Sequence, residues 1–256
     1  MDLAKYRNSL RLYSVAGLFR AKKEQRLMFL DELVDQSRNA IDIGAWYGPW
    51  SYWLARRCPQ VWAFEPNPAC HGTLAQINSS NFKLYDMALS DSAGQVELFV
   101  PKNFGPDAQA TIERNVRLEN STSLSIRTQR LDELALPNVG FIKIDVEGHE
   151  YPVLSGAELT IRNSRPVVLI EIEQKFHKEP IDVLFKYFLD MDYSGWVRRN
   201  RRWDSIKTFD VNIDQEKYAH QPKNVKYINN FVFTPYKESP EENLDLNLKL
   251  FNYRLY

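Results

Sequence analysis

Two stretches of the chain concentrate residue types that bind cofactors and perform chemistry. The first, Ala40 to Glu65, has Asp42 in a short apolar run, then a turn with Gly44 and Gly48, and ends in an acid 21 positions after Gly44. Glycine lets the backbone approach a ligand closely, and an acid about 20 residues beyond such a turn holds the ribose hydroxyls in dinucleotide-binding units. The spacing therefore predicts a site for the adenosine part of a cofactor.

The phosphate part of a dinucleotide is not predicted at this turn. A pyrophosphate site needs the pattern G-x-G-x-x-G, whose amides face the anion, whereas this turn reads G-x-x-x-G and follows Asp42. A carboxylate there repels a pyrophosphate and favours a cofactor whose tail carries an ammonium group. We therefore predict S-adenosylmethionine as the cofactor, and the turn disfavours the alternative of a nucleotide-dependent oxidoreductase.

Residues 141–150, FIKIDVEGHE, form the second dense stretch. The pattern predicts a buried strand and then a helix, and at their junction lie four potential bases or ligands, Asp145, Glu147, His149 and Glu150. In a parallel sheet this strand end lies on the same edge as Gly44 and Glu65. The electrostatics of a helix N-terminus explain one or two of the acids, but not an acid at the strand end together with an imidazole four residues later.

Hydrophobic periodicity predicts an α/β fold around these two stretches. Strands are predicted at 40–43, 61–64, 82–89, 95–100, 122–130, 141–144, 166–173, 193–197, 203–209 and 226–233. Helices are predicted between several of these strands, including 181–189, and two more in the first 36 residues. Segment 101–121 is too polar for the core, and a connection of this length favours a flap over the site.

Composition excludes several classes of protein. With 33 basic and 33 acidic residues the net charge is zero, so no global field favours nucleic acid or an anionic membrane. The two cysteines, Cys58 and Cys70, are interpreted as reduced, buried thiols. No long apolar run or secretory signal is evident in the sequence, which predicts a soluble, cytoplasmic protein without a membrane span.

Two further groups of polar residues have open interpretations. Asp86, near the end of a predicted strand, either accepts a hydrogen bond from an adenine amino group or satisfies a backbone turn. Arginines at 198, 199, 201 and 202 surround one asparagine between two predicted strands. They either bind an anionic substrate or form a solvated hairpin tip.

With both dense stretches in view, the chain resembles the FkbM-type methyltransferase family. The matching segments are IDIGAWYG at 41–48, FEPNP at 64–68, ALSD at 88–91, KIDVEGHE at 143–150, IEIEQKFH at 170–177, FD at 209–210, HQ at 220–221 and INNFVF at 228–233. The glycine turn, FEPNP and KIDVEGHE in this order are far more specific than any one motif. The resemblance implies a Rossmann-like class I methyltransferase fold, with a mostly parallel seven-stranded sheet and helices on both faces.

The resemblance also implies domain limits and residue roles. We expect an N-terminal helical extension at 1–36, an S-adenosylmethionine-dependent methyltransferase domain at 37–236 and a C-terminal tail at 237–256. The cofactor-binding positions implied by the family are Asp42, Gly44, Ala45, Trp46, Gly48, Glu65, Asp86, Ala88 and Asp145. The family's turn usually reads G-A-N, and here Trp46 replaces the asparagine. We expect the indole to stack near the cofactor or to narrow the substrate entrance.

Methyl transfer from a sulfonium is an in-line displacement, so the nucleophile must lie about 3 Å from the methyl group. A hydroxyl nucleophile must also lose its proton, which a carboxylate or an imidazole can accept. We expect Asp145 or His149 to be this base, with Glu171, Glu173 and His177 as second candidates. The same acids are possible ligands of a divalent metal, which is the less favoured interpretation.

We therefore expect an O-methyltransferase that acts on a hydroxyl, which the resemblance to the family implies to be that of a sugar, glycan or secondary metabolite. The expected partner is a small-molecule or glycan acceptor, and no nucleic acid is expected. A non-catalytic cofactor-binding module remains a further alternative. The N-terminal helices are interpreted as a packing extension, or else as a lid or a homo-oligomer contact.

Overall fold

The computed structural model describes residues 29–102, 110–113, 120–221, 224 and 226–244. Its centre is an eight-stranded sheet with the order β10-β9-β11-β8-β7-β1-β2-β3. These strands are β1 Asn39–Ile43, β2 Val61–Phe64, β3 Phe82–Tyr85, β7 Val139–Ile144, β8 Val167–Glu171, β9 Ser194–Arg199, β10 Arg202–Ser205 and β11 Asn230–Thr234. A smaller sheet with the order β4-β6-β5 contains β4 Ala88–Leu89, β5 Gly94–Pro101 and β6 Ser121–Gln129.

The large sheet is mixed. Strands β3, β2, β1, β7 and β8 are parallel neighbours. Strand β11 is antiparallel to both β8 and β9, so β9 runs in the same direction as β8, and β10 is antiparallel to β9 at the edge. The predicted α/β class is confirmed, but the number of seven strands was wrong, because the arginine hairpin adds β10. Left-handed backbone at Asn200 and Arg201 allows this tight turn.

Helices cover both faces of the large sheet, as predicted. They are α1 Leu30–Leu33, α2 Pro49–Leu54, α3 Pro68–Leu74, α4 Glu150–Gly156, α5 Glu158–Ser164, α6 Asp182–Leu189 and α7 Val211–Asp214. Four short 3₁₀ helices lie at Leu131–Leu134, Gln174–Phe176, Ile206–Thr208 and Glu216–Tyr218. Alternate residues of each strand face opposite cores, so Ile41 and Ile43 pack with α4 to α6 while Ala40 packs with α1 to α3.

The path of the chain creates a crevice at the carboxyl ends of β1 and β7. From β1 the chain passes to β2 and β3 on one side, and it later returns to β7 and β8 on the other side. Ile43 pairs with Phe64 on one flank and with Ile144 on the other. Ligands of open α/β sheets bind where the strand order reverses in this way, so the residues that follow these three strands form the candidate site.

Two predicted strands differ from the structure for identifiable reasons. The predicted strand 82–89 is divided, because β3 ends at Tyr85 and Ala88 pairs with Thr128 in the small sheet. The predicted strand 226–233 forms a ladder only from Asn230, because the residues before it bond outside the sheet. The Ile228 amide donates to the carbonyl of Asp214 in α7, and the Asn229 carbonyl accepts from the amide of Ile172, which follows β8.

The proposed terminal segments are covered in part. Of the N-terminal extension the structure describes residues 29–36, which contain α1, and of the C-terminal tail residues 237–244, of which 240–244 are helical. The two helices predicted within 1–36 otherwise lie outside the described residues, as do 103–109 and 114–119 of the expected flap. None of the helices in the described ranges has the length and apolar character needed to cross a membrane.

Candidate active site

The glycine turn after β1 packs directly on the residue that follows β7. The Gly44 backbone is left-handed, with φ +75°, and a Cβ at this position would lie 1.9 Å from the Asp145 carbonyl oxygen. The amides of Gly44 and Ala45 both donate to the Phe64 carbonyl, at 2.9 and 3.1 Å. The turn is therefore fixed between the ends of β2 and β7, and a side chain at position 44 would separate them.

Gly48 closes the same turn and begins α2. Its φ is +84°, and a Cβ would lie 2.7 Å from Leu74 of α3. Pro49 takes the first helical position, and Trp50 and Leu54 are buried against the sheet, as their spacing predicts. The position therefore requires glycine both for its backbone conformation and for the packing of α2 against α3.

Glu65 is held in place by two backbone amides. Its Oε2 accepts from the Trp46 amide at 2.7 Å and its Oε1 accepts from the Asn67 amide at 2.8 Å. Burial, with a smaller contribution from Asp42 and Asp145, raises the pKa of Glu65 to about 7, although both amide bonds act in the opposite direction. Each carboxylate oxygen has a second lone pair, so the group can still accept hydrogen bonds from a ribose.

Asp42 is fully buried in β1. Its Oδ2 accepts from the Ser51 hydroxyl of α2 at 2.6 Å, and its Oδ1 has no hydrogen-bond partner among the described residues. Burial raises the pKa of this carboxyl, while the Ser51 hydroxyl and the charge of Lys143 lower it. Asp42 and Lys143 are register partners on β1 and β7, so their side chains lie on the same face of the sheet.

Asp145 lies at the end of β7 beside a buried lysine. The Asp145 amide donates to the Ile43 carbonyl at 3.0 Å, and the Lys143 ammonium lies 3.2 Å from Asp145 Oδ2 and donates to the Ile144 carbonyl at 2.9 Å. Lys143 itself has no exposed surface. A buried ammonium needs nearby anions, and here it lies beside Asp145 with Asp42 contributing a second negative charge.

Glu147 has the most unusual backbone in the second dense stretch. Its φ is +52°, a conformation that is costly for a residue with a side chain, and Gly148 follows with φ +102°. The Thr111 hydroxyl donates to the Glu147 carbonyl at 2.8 Å. Burial and the charges of Asp145 and Glu171, followed by those of two more acids, raise the pKa of Glu147 well above its usual range.

The acids that follow β8 are bound to side chains from the β11 region. Glu171 Oε1 accepts from the Asn229 amide group at 2.6 Å, and its Oε2 accepts from that of Asn230 at 3.3 Å. Glu173 accepts from the Tyr227 hydroxyl, and the Lys175 ammonium lies 2.8 Å away. These contacts bring the second-choice candidates Glu171 and Glu173 to the same sheet edge as Asp145.

The two candidate histidines are engaged with other side chains. His149 Nε2 lies 2.9 Å from the Ser90 hydroxyl, and its Nδ1 lies 2.6 Å from Glu113 Oε1. His177 Nε2 lies 3.0 Å from Glu150 Oε2, without the angle of a hydrogen bond. His149 therefore connects α4 to the β4 end and to the described part of the 101–121 segment.

Asp86 and Ala88 are less closely integrated into the site. Asp86 follows Tyr85, whose carbonyl accepts from the Glu65 amide at 3.1 Å, but its exposed side chain forms an ion pair with Arg127 at 2.7 Å. Ala88 belongs to the small sheet and packs against its core. The structure thus brings Asp42, the glycine turn, Glu65 and Asp145 together, with these two positions at the periphery.

The arginine hairpin is tied to the rest of the fold. The Arg198 guanidinium lies 4.8 Å from the ring centroids of both Phe29 and Trp203, and it donates to Glu32 at 2.7 Å. Arg199 donates to Asp214 at 2.6 Å. These two arginines connect α1 and α7 to the sheet. The solvated hairpin tip, one of the two interpretations of the sequence, is therefore limited to the turn between β9 and β10.

The chain is similar to known methyltransferases. A family model described as "Methyltransferase FkbM domain" matches residues 42–194, which is more than half of the chain. The chain belongs to the FkbM methyltransferase family. The resemblance inferred from the sequence is therefore confirmed, and the chain carries a methyltransferase domain of the S-adenosylmethionine-dependent class.

Two curated relatives and one solved structure are similar to this FkbM methyltransferase. Methyltransferase sdnD of Sordaria araneosa is 27% identical over 154 residues, covering 46% of this chain and 60% of the relative. The 2-O-methyltransferase NoeI of Sinorhizobium fredii is 26% identical over 139 residues, covering 46% of this chain and 56% of the relative. The crystal structure of methyltransferase FkbM from Methylobacillus flagellatus is 19% identical, with a TM-score of 0.50, covering 77% of this chain and 44% of that one. The chain thus matches less than two thirds of the length of each, and the solved structure supports the fold alone.

The residues of this FkbM domain fit the cofactor of the family. Glu65 offers free lone pairs, and the buried Asp42 Oδ1 and Asn67 Nδ2 have no hydrogen-bond partner within the described ranges. Such unpaired buried groups are costly unless a ligand or water satisfies them. Across the described ranges, no group of three or more His, Cys, Asp or Glu side chains has an arrangement that could hold a metal ion.

The sequence did not single out three features of this site. In the sequence, Lys143 is a single charged residue in an apolar strand. This pattern indicates that a buried lysine has an acidic partner, but it does not identify that partner. The contacts of Asn229 and Asn230 with Glu171 depend on the pairing of β11 with β8. The left-handed backbone of Glu147 has no sequence signal beyond the glycine that follows it.

Proposed function

We propose that the protein is an S-adenosylmethionine-dependent O-methyltransferase that acts on a hydroxyl group of a small molecule or glycan. The observation that carries this proposal is the set of three carboxylates, Asp42, Glu65 and Asp145, around the Gly44 turn. This arrangement suits a cofactor with a ribose, a sulfonium and an ammonium, and it opposes a pyrophosphate.

Each wall of the crevice has a distinct task in this proposal. Glu65, fixed by the amides of Trp46 and Asn67, accepts the ribose hydroxyls, and the Gly44 turn lies against the nucleoside. Asp42 and Asp145 provide negative charge for the amino acid tail, and Lys143 balances part of that charge. When bound, the cofactor supplies an electrophilic methyl group.

The remaining acids favour a hydroxylated acceptor. Ile144 of β7 pairs with Ile170 of β8, so Asp145 and Glu171 are neighbours at the same sheet edge. The charges of Asp145, Glu171 and Glu173 all raise the pKa of Glu147. Carboxylates accept hydrogen bonds from hydroxyls and disfavour an anionic acceptor. The zero net charge provides no global field that favours nucleic acid, and a relative named as a 2-O-methyltransferase supports transfer to oxygen.

Release of S-adenosylhomocysteine tests this function. The protein is incubated with S-adenosylmethionine and a panel of methyl glycosides, phenols and aliphatic polyols, and the methylated product is identified by mass spectrometry. We expect acceptor-dependent release that is abolished in Asp145→Asn. A protein that binds S-adenosylmethionine but turns over no acceptor would contradict the proposal and favour a non-catalytic cofactor-binding module.

The same assay examines the role of a divalent metal. We expect activity to survive exhaustive chelation, because the acids of the site are engaged with amides, lysine and asparagine groups. Loss of activity on chelation, restored by one added cation, would instead assign the acids to a metal site.

A further inference from the structure

Glu147 occupies a strained position at the acceptor side of the site. Its left-handed backbone, at φ +52°, is retained although glycine would adopt it without cost. The Thr111 hydroxyl fixes its carbonyl, and the Glu147 side chain is only partly buried. Strained residues persist where the surrounding structure enforces them, and they are concentrated at functional sites.

The four acids around Glu147 all have donors or cations beside them. Their contacts are Asp145 with Lys143, Glu150 with the Gly148 amide, Glu171 with Asn229 and Asn230, and Glu173 with Tyr227 and Lys175. Glu147 has no such hydrogen bond or ion pair to its carboxylate from the described residues. Among these five acids of the described residues, the Glu147 carboxylate is therefore the one that remains available to an acceptor hydroxyl.

This arrangement raises the affinity of Glu147 for a proton above that of an ordinary glutamate. Burial and the charges of Asp145, Glu171, Glu173 and Glu150 all raise the pKa of Glu147. A general base is most effective when its pKa approaches the working pH, which an ordinary glutamate does not satisfy.

The two bases favoured by the sequence are less suitable. Both ring nitrogens of His149 are engaged, one by Ser90 and the other by Glu113. Asp145 Oδ2 lies 3.2 Å from the buried Lys143 ammonium, so part of its carboxylate is already engaged.

We propose that Glu147 is the general base that deprotonates the acceptor hydroxyl, an inference that rests on the proposed function. The acceptor O–H proton passes to the Glu147 carboxylate as the acceptor oxygen forms its bond to the methyl carbon. The bond between that carbon and sulfur breaks, and its electron pair stays on sulfur, which becomes a neutral thioether. The products are the methyl ether and S-adenosylhomocysteine, and Glu147 releases the proton to water.

The first test measures turnover and cofactor binding of Glu147→Gln. We expect kcat to fall by about 10²- to 10⁴-fold, the usual contribution of a general base, with the Kd of S-adenosylmethionine unchanged within about threefold. The wild-type kcat should increase with pH as Glu147 loses its proton, which gives the pH profile a rising limb. Glu171→Gln should move that limb to lower pH, because it removes a neighbouring negative charge.

A second variant separates catalysis from folding. Glu147→Gly relieves the left-handed strain, so we expect it to raise Tm by about 2–4 °C while it abolishes turnover. Ala135→Gly is the matched control, because Ala135 is also left-handed, at φ +46°, but its exposed side chain lies outside the site. It should raise Tm similarly and leave kcat unchanged.

A carboxyl titration decides the proposal even if no acceptor on the panel is turned over. The side-chain carboxyls of protein labelled with ¹³C at glutamate are followed by NMR against pH with S-adenosylhomocysteine bound. We expect the resonance missing from Glu147→Gln to titrate well above the ordinary range of glutamates. Titration in the ordinary range, or a kcat of Glu147→Gln within threefold of wild type, overturns the proposal. Absence of turnover in the wild type with a raised Glu147 titration contradicts the proposed function instead.

Discussion

Glu65 links the cofactor site to pH, and Glu65→Gln is the most informative single change. The carboxylate accepts the Trp46 amide at 2.7 Å and the Asn67 amide at 2.8 Å, so its other lone pairs are available to two ribose hydroxyls. Glutamine offers one oxygen and places an NH₂ group against one of the two amides. Loss of one charge-assisted hydrogen bond costs about 1.5–3 kcal/mol, so we expect S-adenosylmethionine to bind about 10- to 150-fold more weakly.

The pH dependence of binding gives this prediction a second observable. Since the pKa of Glu65 is about 7 in the free protein and the ribose favours the ionised form, affinity should increase as pH rises through 7. At pH 6 about one tenth of Glu65 is ionised, so the Kd should be about tenfold weaker than at pH 8. Binding at pH 6 should release a proton, and Glu65→Gln should remove both effects.

The same shift affects the stability of the free protein. The pKa of Glu65 in the folded state lies above the ordinary value of 4.5, so the folded state binds more protons than the unfolded state between these values. The contribution of Glu65 to stability is therefore fully present below about pH 4.5 and is lost as pH rises through about 7. Chemical denaturation across pH 4 to 8 should show this decline in wild type and a smaller one in Glu65→Gln.

Calorimetry in buffers of different ionisation enthalpy measures both the Kd and the released proton. Glu97→Gln is the matched control, because it makes the same change of charge on an exposed side chain of β5. If Glu65→Gln binds S-adenosylmethionine within threefold of wild type and with the same pH dependence, Glu65 is not the ribose acid.

Three further substitutions test the architecture of the site. Gly44→Ala places a Cβ 1.9 Å from the Asp145 carbonyl oxygen, so cofactor binding should be lost and the free energy of unfolding should fall by more than about 3 kcal/mol in urea titrations. Lys143→Met leaves buried acids without their cation and should cost about 3–5 kcal/mol, whereas an unchanged Tm would refute this role of Lys143. Trp46→Asn should retain cofactor binding within about threefold, because the contact with Glu65 is made by the backbone amide and asparagine tolerates the left-handed φ of +50°. Complete loss of binding, measured by calorimetry, would mean that the indole itself contacts the cofactor.

The cofactor half of the site could be predicted from the sequence because it depends on local order. The strand, the glycine turn and Glu65 lie within 26 consecutive residues, positions 40 to 65, and β1 and β2 are adjacent parallel strands. The glycines, the acid and the helix between them therefore take their places from spacing alone. The ion pair between Lys143 and Asp145 was also within reach, since both residues lie in the KIDVEGHE segment.

The acceptor half depends on contacts between distant parts of the chain. The position of Glu171 is set by Asn229 and Asn230, 58 and 59 residues later, and the position of His149 by Ser90, 59 residues earlier. No local pattern encodes such pairings. The conformation of Glu147 is likewise imposed by its surroundings, so the sequence favoured Asp145 and His149 as bases, whereas we propose Glu147.

Direct calorimetric comparison of S-adenosylmethionine and NAD binding to the wild-type protein tests the central claim most directly. The acidic crevice between the Gly44 turn, Glu65 and Asp145 predicts one S-adenosylmethionine bound per chain, with no heat of binding from NAD under the same conditions. Saturable binding of NAD, together with no binding of S-adenosylmethionine, would contradict the account.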